Sequence, residues 1–240
     1  LKECIKGMAR ACRELQIPVI SGNVSLYNET KGEAIYPTPV IGMVGIVNDI
    51  NRHCTMSFKD EGDLVFLLGG HFSSMGDGLG GSEYLELAHN LVKGKPAIDL
   101  DLERRVQKLL LEAIRQGFVK SAHDCSEGGL AVAIAESCIT GDIGFRGELS
   151  CHREARSAEA ILGLKGRLDN ALFGERHPAV VVSISPDSMT KLNRVARKWR
   201  VPLTWLGKVG GKRLVVEGYI DLPLNKAERA WRNGIKQQLS

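Results

Sequence analysis

The run TPVIGMVGIV, from Thr38 to Val47, contains no charged side chain. Val40, Val44 and Ile46 alternate against Ile41, Met43 and Val47, so an extended chain here is apolar on both faces. A strand of that kind belongs in the centre of a sheet covered on both sides. Whatever else the chain builds, it is expected to supply two covering layers for this strand.

The elements around it are readable from their periods. LKECIKGMARACREL places Leu1, Ile5, Met8, Cys12 and Leu15 on one helical face, yet nothing precedes Leu1 to act as an N-cap and there is no initiating methionine. A helix entered part-way is what a fragment of a longer protein would show. Pro18 ends it, and PVIS reads as a short strand running into the polar GNVSLYNETKGE loop. After the polar link NDINRHCT, GDLVFLLGG reads as a buried strand and GSEYLELAH as a helix. DLERRVQKLLLEAIRQG is an amphipathic helix striped by Leu102, Val106, Leu109, Leu110, Ala113 and Ile114 and closed by Gly117. SEGGLAVAIAESCI is a helix of small residues. GFRGEL and AVVVSIS follow as strands around a segment without a clear pattern, then SMTKLNRVARKW as a helix. LTWLGKVGG and RLVVEG look like a hairpin pair, and PLNKAERAWRNGIKQQ a terminal helix. Strands and helices mix without strict alternation, which predicts an α+β architecture with a mixed sheet rather than a doubly wound parallel one.

Composition narrows the function classes. With 240 residues, 43% hydrophobic and 25% charged, the chain has material for a real core, in one large domain or one domain plus part of another. The net charge of +4 is spread out, RVARKWR reads as a solvated helix face, and aromatics at 5% offer no stacking platform, so nucleic acid is not an expected partner. Cys4, Cys12, Cys54, Cys125, Cys138 and Cys151 form no CxxC pair and no zinc-ligand spacing, and read as reduced, mostly buried thiols. No stretch approaches the roughly 18 to 20 apolar residues of a membrane helix, and no signal peptide opens the chain. A cytoplasmic location without membrane contact is expected.

The candidate sites each have a bland and a chemical reading. In SGNVS, Gly22 would let a phosphate approach the backbone, Asn23 carries an amide oxygen suited to a hard cation, and Ser25 could bond a substrate oxygen on the same side of an extended chain. The same residues equally make an Asx-type turn. LGGSEYLE has a serine N-cap before a helix with early carboxylates, and Glu83 and Glu86 would repel an anion there, so it reads as structural. HDCSEGGLA sets His123 and Asp124 beside a glycine pair at a helix start. A catalytic His–Asp–Cys set is conceivable, but sequence neighbours rarely meet as nucleophile and base, and capping by Asp124 or Ser126 is the simpler reading. ALFGER ends a short helix at Gly174 and is uninformative taken alone.

Taken together and in order, IPVISGNVSLYNET, PTPVIGMVGIV, LGGSEYL, HDCSEGGLAVAIAESC and LFGE resemble the synthetase subunit of the phosphoribosylformylglycinamidine synthase family, within the aminoimidazole ribonucleotide synthetase superfamily. The resemblance implies that residues 1–52 end the second ferredoxin-like, ATP-binding domain and that residues 53–240 form the second synthetase C-terminal-type α+β domain, with a mixed sheet, flanking helices and a terminal helix. It implies an ATP-dependent carbon–nitrogen ligase of purine biosynthesis, converting formylglycinamide ribonucleotide and glutamine-derived ammonia with Mg²⁺ and ATP. Carried over position by position, Gly22 contacts ATP, Asn23 binds Mg²⁺ and Ser25 contacts the nucleotide substrate. This makes the chemical reading of SGNVS the stronger one.

The family's catalytic histidine and remaining carboxylate ligands lie in the first half and match nothing here, so no catalytic residue is expected and the fragment alone should be inactive. The implied partners are a separate glutaminase subunit, a small accessory subunit and the missing N-terminal half. A homodimer of the fragment through apolar surface is a further expectation. The rival readings are a ring-closing enzyme like aminoimidazole ribonucleotide synthetase and a non-catalytic nucleotide- or partner-binding scaffold.

Overall fold

A computed structural model describes residues 1–25, 27, 29–36, 38–70, 78–148 and 168–238. The chain divides into two compact units, Leu1–Ile50 and Asn51–Ser240.

In the first unit, α1 spans Lys2–Leu15, begins at Leu1 without a side-chain cap and stops where Gln16 turns left-handed at φ 58°. None of its residues is buried. Lys31 and Gly32, both at positive φ, turn the chain between β1 (Glu29–Thr30) and β2 (Glu33–Ala34), which pair antiparallel. The structure departs here from the sequence reading. Neither PVIS nor TPVIGMVGIV is a strand, and Val40 and Val44 are 94% and 97% exposed rather than buried. A strand exists by pairing, and no described strand of this unit lies beside the run, so its two apolar faces stay uncovered.

The second unit is built on a seven-stranded sheet. Its elements are β3 (Leu64–Leu68), α2 (Glu83–His89), α3 (Leu100–Arg115), β4 (Val119–Asp124), α4 (Gly129–Gly141), β5 (Phe145–Gly147) and α5 (Leu168–Phe173). They continue with β6 (Val180–Ile184), α6 (Met189–Trp199), β7 (Leu203–Val209), β8 (Arg213–Val216), β9 (Ile220–Pro223) and α7 (Leu224–Gln238). The strand order is β4-β6-β3-β7-β5-β8-β9, antiparallel except for the parallel β5–β8 pair. This is the mixed sheet and α+β class expected from the sequence.

Period-two alternation sends the strand residues into two cores. Val65, Leu67 and Val181 pack with Leu130, Ile134 and Cys138 of α4. Phe66, Leu68, Val182 and Ile184 pack with Val106 and Leu109 of α3 and Leu192 and Val195 of α6. Two local readings need correction. β7 and β8 are not a hairpin, because β5 is inserted between them. VKSAHD, whose polar residues hid it, is the edge strand β4, and its buried Ser121 is satisfied by the Ser183 hydroxyl of β6 at 2.6 Å. The patternless stretch after GFRGEL falls largely outside the described residues.

Candidate functional sites

The first candidate is the SGNVS loop. Gly22, Asn23 and Ser25 lie in irregular, exposed chain directly after the turn that ends α1. Asn23 Nδ2 donates to Ser25 Oγ at 3.0 Å, which brings the two side chains together. That bond uses the amide nitrogen and leaves the amide oxygen, the atom a hard cation takes, outside it. At Gly22 a Cβ would meet nothing within 4 Å, so the backbone is approachable. Among the described residues no group of three or more His, Cys, Asp or Glu is placed to hold a metal ion. A Mg²⁺ held here would take one oxygen from Asn23, with its other positions filled by phosphate, water and groups elsewhere.

The second candidate is in the other unit, where the topology gathers three sequence motifs at one end of the sheet. β3 and β4 both run antiparallel to β6, so their C-terminal ends lie beside the start of β6. LGGSEYL follows β3, HDCSEGGL closes β4, and LFGE leads into β6. One carboxylate joins them. Glu175 Oε1 accepts the backbone N–H of Glu83 at the head of α2 at 2.8 Å and that of Gly128 at the head of α4 at 2.9 Å. Its own N–H donates to the carbonyl of Gly78 at 2.9 Å, and Asn170 Oδ1 accepts from Gly78 N at 3.0 Å. The rings of Tyr84 and Phe173 stack at 4.8 Å. An anion at two helix N-termini satisfies orphan donors and suits the helix dipoles. Here the chain supplies the anion itself. LFGE, uninformative taken alone, carries the joining residue, and only its spatial neighbours reveal that.

Ser82 caps α2 as expected, its hydroxyl accepting from Leu85 N at 3.2 Å. The expected cap of α4 by Asp124 or Ser126 is not formed. Its N-cap is Gly128 in the left-handed region, with no side-chain bond. Asp124 turns instead to the Ser126 hydroxyl and to His123, whose Nδ1 lies 3.4 Å away. The Ser126 bond first, then backbone and His123, hold its carboxyl below the usual range against a contrary push from burial. His123 Nε2 meets Glu136 Oε2 at 2.7 Å, and Trp231 Nε1 donates to Glu136 Oε1 at 3.0 Å. Burial pushes the Cys125 thiol up to about 12, so it is no thiolate nucleophile at neutral pH and the His–Asp–Cys set is structural.

Glu175→Ala should lower the unfolding free energy by about 2 kcal/mol, because two helix-terminal N–H groups lose a charged acceptor. Glu175→Gln, which keeps an acceptor oxygen, should lose less than half of that. Equal chemical-denaturation midpoints for the Ala variant and the parent would remove Glu175 from this role.

Residues 60–218 match the AIR synthase related protein C-terminal domain, and residues 1–47 the N-terminal domain of the same proteins. The phosphoribosylformylglycinamidine synthase subunit PurL of Thermomicrobium roseum is 47% identical over 236 residues, covering 98% of this chain and 30% of that protein. The chain thus spans under a third of the length of that curated relative. PurL of Thermotoga maritima complexed with FGAR aligns with a TM-score of 0.58 at 18% identity, over 75% of this chain and 30% of that one. The PurLQS structure from the same organism aligns at 0.56 and 16% identity, over 75% and 28%. At such identities the likeness establishes the fold.

Proposed function

Because the chain belongs to the AIR synthase related proteins, we propose that it serves as the C-terminal portion of an ATP-dependent synthetase making formylglycinamidine ribonucleotide in purine biosynthesis. The observation that supports this reading is the alignment of nearly the whole chain with the PurL subunit of T. roseum. On this reading residues 1–52 complete an ATP-binding domain and residues 53–240 form the synthetase C-terminal-type domain behind it. The synthetase would act in the cytoplasm, with a glutaminase subunit and a small accessory subunit, in keeping with the PurLQS assembly of T. maritima.

The loop residues then divide the work. Gly22, lacking a Cβ, admits the ATP phosphates to the backbone. Asn23 gives its amide oxygen to Mg²⁺, and Ser25 holds the ribonucleotide substrate through its hydroxyl. Mg²⁺, when bound, neutralises phosphate charge during phosphoryl transfer. In the overall reaction the amide oxygen of formylglycinamide ribonucleotide takes the γ-phosphoryl group and ADP leaves. Ammonia then adds to the amide carbon and phosphate departs with that oxygen. On this reading the family's catalytic histidine lies outside these residues, and the chain by itself is inactive. Its exposed Val40, Val44 and Ile46 also favour self-association of the isolated chain.

The test is ADP release by the full-length parent with formylglycinamide ribonucleotide, Mg²⁺-ATP and an ammonium salt, with the 240-residue chain as control. Ammonia-dependent release by the parent alone is expected. Release only with formylglycinamidine ribonucleotide and without ammonia would overturn the substrate in favour of ring closure, and turnover by the isolated chain would overturn its dependence on the rest.

A further inference from the structure

We propose that His123 is a charge-dependent latch that holds the terminal helix α7 against α4 and β4, closed while the imidazole is protonated and loosened when it loses that proton. Both ring nitrogens face carboxylate oxygens, Nε2 that of Glu136 at 2.7 Å and Nδ1 that of Asp124 at 3.4 Å. Only the imidazolium donates from both nitrogens. A neutral ring has one N–H, so one lone pair must point at a carboxylate. Loss of the proton also leaves two carboxylates without their shared cation, around a ring that is only 16% exposed.

The consequence reaches α7 through Glu136. Its second oxygen, Oε1, accepts from Trp231 Nε1 at 3.0 Å, so one carboxylate is shared between the imidazole of β4 and the indole of α7. Among the described residues, α7 reaches the core near its start, by Leu224 and Ala227, while Trp231 and Ile235 further along are exposed. Its second half is held to α4 by this polar tie. At the other end of the chain of contacts, Asp124 accepts the hydroxyl of Ser126 in the turn before α4.

The surrounding elements supply no substitute cation among the described contacts. β6 sets Val181 opposite His123. On α7, Arg232 lies over the Trp231 ring at 5.6 Å and is paired with Glu228 at 2.8 Å. The ion pairs described for Asp124 and Glu136 both run to His123.

Trp231 fluorescence, taken as the difference between the chain and its Trp231→Phe variant, tests this from about pH 5.5 to 8.5. As pH rises, its emission should shift to longer wavelength and its quenching by acrylamide should increase, in one titration. His123→Gln, which has no titratable ring, should give a flat profile. The same titration in His123→Gln, or a flat profile in the unaltered chain, would overturn the latch. If circular dichroism shows that His123→Gln does not fold, Glu136→Gln takes its place: a flat profile is again expected, and an unchanged titration again overturns it.

Discussion

Asn23→Ala in the full-length protein, on the proposed reading of that residue as a Mg²⁺ ligand, is expected to weaken the Mg²⁺ dependence of turnover by about 100-fold, since even outer-shell partners of a bound metal contribute 10- to 100-fold to affinity or activity. The expectation rests on one atom. The Asn23 amide nitrogen is already spent on Ser25 Oγ, at 3.0 Å, and alanine removes the oxygen left for the cation together with the donor that orients the serine. Raising Mg²⁺ should restore part of the rate, whereas raising the ribonucleotide alone should not. Initial rates against Mg²⁺ concentration decide it. An unchanged Mg²⁺ dependence would favour a scaffold in which this loop is merely a turn.

A large loss of stability should come from Gly129→Ala. Gly129 sits at φ +67°, and a Cβ there would lie 2.7 Å from the carbonyl oxygen of Gly174 and 2.8 Å from the carbonyl carbon of Phe173. The left-handed conformation costs an L-residue about 1–2 kcal/mol, and overpacking against backbone adds about 1–3 kcal/mol. The backbone that must yield is the one that presents Glu175 to the two helix termini. A total of about 3–4 kcal/mol corresponds to a fall of roughly 10 °C in Tm for a unit of this size. Gly211→Ala is the matched control, at φ +70° with nothing within 4 Å of its Cβ, and should show only the conformational part. Equal losses in the two variants would mean that the close approach of α4 to the residues after α5 contributes nothing.

What the sequence made legible follows from where its information lies. α3, α4, α6 and β6 were readable because an apolar stripe, a run of small residues or a run of valines states its own burial, and the structure buries Leu109, Cys138, Val195 and Val182 as those patterns require. β4 was not, because its Ser121 is buried through a partner 62 residues away, which no local pattern announces. The position of β5 between β7 and β8 is likewise a fact of pairing. Thr38–Val47 shows the converse failure, since its pattern states that it wants cover without stating what provides it. At the candidate sites, the residue types of SGNVS were visible from the start, and only the resemblance gave them roles. Glu175 was invisible, because its function is to join segments that lie far apart in sequence.

The central sheet of the second unit has one more consequence, for how the chain can change over evolutionary time. Val65 and Phe66 are covalent neighbours, yet they look into different cores, one shared with α4 and the other with α3 and α6. The backbone ladder between those cores acts as a partition. A substitution at Val65 must be accommodated by Leu67, Val181 and the residues of α4, while the residues around Phe66 are free to drift on their own schedule. Compensating changes should therefore be sought on one face at a time, at every second residue of a strand and across to its helices, and adjacency along the chain is a poor guide to which positions constrain one another.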